Sequence, residues 1–158
     1  MAFQQPLLLL HLMGMMLLVA GVGVSISCKA AALRSSSPRV IHELLQTAAR
    51  SVRLLLMPGS YLLLFAGIWL VGESHGRYSM TDLWIAGAIA AWIALAVVEI
   101  RLHAPRGRAA RELALALVAD DAAASGELSD LIRSGRLATA LDVVLLVLMV
   151  TLMVFKPG

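Results

Sequence analysis

Cysteine is nearly absent from this sequence, which has Cys28 as its single cysteine among 158 residues. One cysteine excludes an intrachain disulfide framework and a zinc site built from cysteines. The sequence also lacks a phosphate-binding loop, a nucleophile elbow, an HExxH motif and a glycine-rich dinucleotide motif. These absences exclude the enzyme classes that such motifs define, so any chemistry must rest on individual residues and their surroundings.

Charged residues are also scarce, at 15% of the chain, whereas hydrophobic residues make up 60%. Soluble domains have about 45–50% apolar and about 25% charged residues, and a bilayer-spanning helix needs about 20 mostly apolar residues. The apolar residues form four runs, at about 6–28, 54–72, 81–101 and 137–155. We therefore predict an all-α fold: a polytopic, antiparallel four-transmembrane-helix bundle, with residues 1–158 as a single integral membrane domain.

Basic residues are rare outside two connections between these runs. Of the 13 lysines and arginines, only Arg77 and Lys156 lie outside the stretches 29–53 and 101–136. Lysine and arginine near span ends are retained on the cytoplasmic side, which predicts an N-out/C-out protein of the bacterial inner (cytoplasmic) membrane. No basic residue precedes the first apolar run, so we expect a permanent span rather than a cleaved signal peptide.

The formal net charge of +3 comes from residues that flank the predicted spans. The expected partner is therefore the lipid bilayer, through its anionic headgroups, and not nucleic acid. Within the first basic stretch, residues 38–53 follow Ser37 and Pro38, a favourable helix start. Val40, Leu44, Ala48 and Val52 recur every four residues, with Ile41 and Leu45 beside them, which predicts a cytoplasmic amphipathic helix. It either lies on the membrane surface or continues into span two.

Ionisable residues inside a bilayer cost about 2.5–3.5 kcal/mol each at mid-helix, so each needs a partner or a role. Three such residues lie in or beside the predicted spans. In the predicted topology His11 and Lys156 lie at similar depth near the outer face, whereas Asp142 lies near the inner face. Asp142 is interpreted as half of a structural ion pair with a nearby basic residue: Arg53 foremost, or Lys29, Arg50 or Arg136.

His11 has Gly14 and Met15 three and four residues further along nearly the same helix face. An imidazole beside a position without a side chain suits a flat macrocycle, and haem is held by histidine alone or by histidine with methionine. Alternatively, His11 is a neutral side chain that donates to a carbonyl or hydroxyl of a neighbouring helix. The eight methionines also suit Cu(I), or they fill gaps in the packing.

Four short motifs carry a resemblance to a known family: Leu10-His11, Met57-Pro58-Gly59, Gly67-Ile68-Trp69-Leu70 and the closing Phe155-Lys156-Pro157-Gly158. The layout resembles an uncharacterised bacterial family of four-helix integral membrane proteins (the DUF2269 type). It is more distantly similar to the HemJ-type protoporphyrinogen oxidases. That resemblance implies haem b binding through His11, with Lys156 as a partner for a propionate or a substrate carboxylate.

Two functions are consistent with these observations. The first is a small inner-membrane protein that binds haem b in a HemJ-like redox setting, through His11 with Gly14, Met15 and Lys156 nearby. The second is a non-enzymatic subunit that packs against a partner membrane protein or forms a homo-oligomer. Small residues at helical spacing, such as Gly21 with Ser25, allow the close helix contacts that this second function requires.

Overall fold

The computed structural model describes residues 4–155, and every regular element in that range is helical. Two π-helical segments, Val52–Leu56 and Glu99–His103, join α2 to α3 and α4 to α5 without a break. The α-helices are α1 (Gln4–Ala32), α2 (Pro38–Ser51), α3 (Met57–Gly72), α4 (Leu83–Val98), α5 (Ala104–Ala119), α6 (Gly126–Arg133) and α7 (Arg136–Phe155).

Four helices are long and apolar enough to cross a membrane, which confirms the prediction of a four-helix membrane bundle. They are Gln4–Ala32, Pro38–Gly72, Leu83–Ala119 and Gly126–Phe155. The third begins slightly later than predicted, because Asp82 has an extended backbone and its Oδ2 accepts from the Ser79 N–H at 3.0 Å. This side-chain acceptor keeps the preceding turn outside the helix.

The amphipathic segment forms a helix, as predicted, and its relation to span two is resolved. Ser37 has an extended backbone and Pro38 is the first helical residue. From there the helix continues through the π-helical segment Val52–Leu56 to Gly72. Segment 38–53 is therefore the first part of one long helix rather than a separate helix joined by a loop.

Each π-helical segment ends two positions before a proline, Pro58 in the first case and Pro105 in the second. In the first, the Met57 N–H bonds to the carbonyl of Val52, and in the second the Ala104 N–H bonds to the carbonyl of Glu99. Proline has no N–H to donate to the residue four positions earlier, so Pro58 leaves the regular pattern interrupted at this point. Such π-helical turns often occur at functional sites.

Helix α1 packs closely against α3, and α4 packs against α7. The α1–α3 contact depends on glycine: a Cβ added at Gly14 would lie 2.5 Å from the Leu63 backbone nitrogen, and one at Gly59 would lie 2.7 Å from that of Leu18. The backbones therefore approach as closely as small residues permit in a bilayer. The two helix pairs share one apolar core: Leu18, Leu63, Ala88, Ala91, Leu95 and Met149.

A second core joins the helical extensions at one end of the bundle, the end that carries both basic stretches. It brings together the end of α1 and one face each of α2, α5 and α6. The amphipathic helix has an apolar face as predicted, but this face is centred on Ile41 and Leu45, and Val40 is 47% exposed. We call this end the basic side, and the end with the connection 73–82 the distal side. The buried residues of this core are Ala32, Ile41, Leu45, Ala110, Ala114, Leu128 and Ile132.

Candidate functional site

A cavity of about 990 Å³ lies in the distal half of the bundle, between the α1–α3 pair and the α4–α7 pair. We call it the His11 cavity. Its wall is mostly apolar and includes two tryptophans, Trp84 and Trp92, and two methionines of α7, Met149 and Met153. Polar groups are few and lie chiefly toward the distal connection: Gln4, His11, Ser74, His75, Arg77 and Tyr78. A large apolar cavity with few polar groups is the usual form of a cofactor or ligand site.

The imidazole of His11 is oriented by the backbone of α3. Its Nδ1 lies 2.9 Å from the carbonyl oxygen of Leu63. A carbonyl can only accept, so Nδ1–H donates and the neutral ring leaves Nε2 unprotonated. Gly67 provides the space on one side of the ring, since a Cβ there would lie 3.0 Å from Cε1 of His11. Among the described residues Nε2 has no hydrogen-bond partner.

The other residues predicted to accompany His11 have different positions. Met15 lines the cavity with His11. Gly14 instead faces the backbone of α3, which occupies the space beside it. Its position three residues after His11 turns it toward the contact between α1 and α3. The side-chain-free position beside the imidazole is Gly67, from a different helix. Lys156 lies outside the described residues.

A second cluster of polar side chains lies toward the basic side, and we call it the His103 cluster: Lys29, Glu99, His103 and Asp142. Nε2 of His103 lies 2.6 Å from Oδ2 of Asp142. Nζ of Lys29 lies 3.3 Å from Nδ1 of the same imidazole. His103 is 8% exposed and Asp142 is 9% exposed, so the contact between α7 and the second π-helical segment is buried.

Asp142 is therefore paired with His103 and not with Arg53, the partner expected from the sequence. Arg53 is exposed, as are Arg50 and Arg136. A guanidinium is costly to remove from water, whereas a neutral imidazole can be buried once both nitrogens are hydrogen-bonded. Of the four basic residues considered, only Lys29 reaches the cluster, and it does so through His103.

Sequence reasoning missed His103 because it assigned residue 103 to the connection after span three. The helix in fact continues through Pro105 to Ala119. The signal was present: Glu99 and His103 are four residues apart, which puts both on one side of a helix that continues. One atom in the cluster, Oδ1 of Asp142, is buried without a hydrogen-bond partner among the described residues.

The chain matches one family model, described as "Predicted integral membrane protein (DUF2269)", over residues 5–157. No curated protein and no solved structure matches it. The match includes all four membrane-crossing helices, His11 and the whole His103 cluster. This multi-pass integral membrane protein therefore belongs to the DUF2269 family.

Proposed function

We propose that the protein binds haem b in the His11 cavity, where Nε2 of His11 would hold the iron. One observation carries the proposal: Nδ1–H of His11 is held by the Leu63 carbonyl at 2.9 Å, in the wall of a cavity of about 990 Å³. Histidines that bind metals almost always donate their other N–H to a carbonyl or carboxylate, which fixes the tautomer and orients the ring.

The rest of the cavity suits the other parts of a haem group. The apolar wall suits the macrocycle, and Arg77 on the distal connection is a cation for a propionate. Met15 lines the cavity beside His11, and Met149 and Met153 line it on the α7 wall, so these methionines would contact the bound group. Haem bound there supplies one-electron redox chemistry, as in the HemJ-like setting expected from the sequence.

The visible spectrum of the protein, purified in mild detergent with haem supplied during expression, tests this proposal. We expect a Soret band in the wild type and its loss in His11→Ala. His42→Ala is the matched control, because Nδ1 of His42 also lies near a backbone carbonyl, that of Arg111 at 3.2 Å, but outside the cavity. That variant should keep the full band.

Gly67→Ala gives a second measurement that does not remove the ligand. The new Cβ would lie 3.0 Å from Cε1 of His11, so the ring must shift, and haem affinity should fall about tenfold or more. Gly72→Ala, on the same helix with open space around it, should have no effect. A wild-type protein without a Soret band, or a band unchanged in His11→Ala, would contradict the proposal.

We also propose that the basic side faces the cytoplasm of a bacterial cell and that the distal side faces outward. The basic residues on the α2 and α5 extensions support this orientation. In a Cys28→Ser background, an impermeant maleimide added to intact cells should label Thr81→Cys on the distal connection but not Ser36→Cys on the basic side. Both positions are exposed. The reverse labelling pattern would show the opposite orientation.

A membrane subunit without a cofactor is the second candidate. In the most apolar stretch of each crossing helix, only 11–28% of the residues are buried within the chain. Much apolar surface is therefore available for a partner membrane protein or a second copy, as well as for lipid. Purification separates the two functions: a stoichiometric partner and no haem support the subunit, whereas an isolated haem protein opposes it.

A further inference from the structure

The His103 cluster has no part in the proposed haem site. Lys29 follows His11 by 18 residues on α1, which is about 27 Å along a helix. The cluster is formed by three separate parts of the chain: the end of α1, the second π-helical segment and the first half of α7. Burying so many ionisable groups in a membrane protein is costly, so the cluster requires a physical explanation.

The hydrogen bonds of the cluster specify the position of each proton. The ammonium of Lys29 can only donate, so Nδ1 of His103 accepts from it at 3.3 Å. In that tautomer Nε2–H donates to Oδ2 of Asp142 at 2.6 Å. Among the described residues, the cluster thus combines two carboxylates, those of Glu99 and Asp142, with one imidazole and one amine.

A small cavity lies between the side chains of the cluster. It has a volume of about 10 Å³, close to the minimum that holds a single water molecule. Glu99, His103 and Asp142 all line it, and each offers a ligand atom within 4.8 Å of the other two. Oδ1 of Asp142 is buried without a partner among the described residues, and a buried carboxylate oxygen without a partner costs free energy that a cation would recover.

We propose that Glu99, His103 and Asp142 bind a divalent first-row transition-metal ion, with Zn²⁺ as its representative. One imidazole and two carboxylates form a ligand set that zinc uses, and three protein ligands leave one coordination position open. Imidazole selects against Mg²⁺ and Ca²⁺, which prefer oxygen ligands alone. The ligand from His103 is Nε2, the nitrogen that faces Asp142.

The same geometry makes Lys29 a competitor of the metal ion. Coordination by Nε2 requires its proton to move to Nδ1, and Nδ1–H can no longer accept from the Lys29 ammonium. Lys29 must then withdraw, and its long side chain can carry the ammonium toward the basic surface. The Lys29 ammonium and the metal ion therefore exclude each other at the His103 imidazole.

Zinc binding to the full-length protein tests the proposal. The protein is purified in detergent, stripped with a chelator and dialysed against buffered Zn²⁺, and bound zinc is measured by mass spectrometry. We expect about one ion per chain. Glu99→Gln, His103→Ala and Asp142→Asn should each weaken binding by more than the roughly tenfold to hundredfold that loss of an outer-sphere partner costs. His42→Ala is the control and should bind as the wild type does.

Lys29→Gln distinguishes a metal site from a structural ion network. Removal of the competing charge should raise zinc affinity about tenfold, an effect that misfolding cannot produce. Absence of zinc from both the wild type and Lys29→Gln would overturn the proposal. So would zinc binding that persists in Glu99→Gln and His103→Ala, or an affinity that Lys29→Gln leaves unchanged or lowers. None of these outcomes depends on haem.

Discussion

Gly14→Ala is expected to lower the free energy of unfolding by about 2 kcal/mol or more, the usual range for overpacking a close contact. The added methyl would lie 2.5 Å from the Leu63 backbone nitrogen and 2.8 Å from the Gly59 carbonyl oxygen. Both are backbone atoms, so no side chain can rotate to relieve the clash. Helices α1 and α3 must separate, which also moves Leu63, the hydrogen-bond partner of His11.

Gly23→Ala provides the matched control, on the same helix with no atom within 4 Å of the new methyl. Alanine is the better helix former by about 1 kcal/mol at most, so this variant should be as stable as the wild type or slightly more stable. Unfolding by SDS in mixed micelles, followed by far-ultraviolet circular dichroism, measures both. Equal destabilisation by the two variants would show that the α1–α3 contact does not depend on Gly14.

The four membrane helices could be predicted because hydropathy is summed over about 20 residues, so that single exceptions do not change the result. The helix over 38–53 was equally predictable from Ser37, Pro38 and the apolar residues that recur every four positions. Its continuation into span two was not, because proline usually interrupts a helix. Here the π-helical segment before Pro58 carries the chain through.

The partners of individual side chains could not be predicted, because they depend on how each helix is rotated about its axis. Gly14 and Gly67 illustrate this: the sequence places Gly14 beside His11, whereas the packing of α1 on α3 places Gly67 there. Asp142 is a second case. The sequence offers several arginines at the correct depth, but these remain exposed, and the buried partner is His103 from the second π-helical segment.

Lys29→Gln in the metal-free protein is expected to lower the free energy of unfolding by about 1–3 kcal/mol, the cost of leaving a buried hydrogen-bonding group without its partner. The carboxylates of Glu99 and Asp142 would lose the attraction of the nearby ammonium. Nδ1 of His103 would also lose the ammonium that donates to it at 3.3 Å. Arg136→Gln is the matched control on the same side of the bundle: Arg136 is exposed, so its loss should change stability by about 0.5 kcal/mol or less.

A double-mutant cycle separates the effect of charge from the loss of packing around the Lys29 side chain. Glu99→Gln removes one of the two carboxylates that the ammonium attracts, so it should restore part of the stability that Lys29→Gln loses. If the two substitutions are instead additive within about 0.5 kcal/mol, Lys29 does not act as a counterion for Glu99.

Zinc added to Lys29→Gln should restore stability in the same SDS unfolding measurement, since an ion that binds only the folded protein stabilises it by mass action. The ion would thus supply the positive charge that the substitution removed.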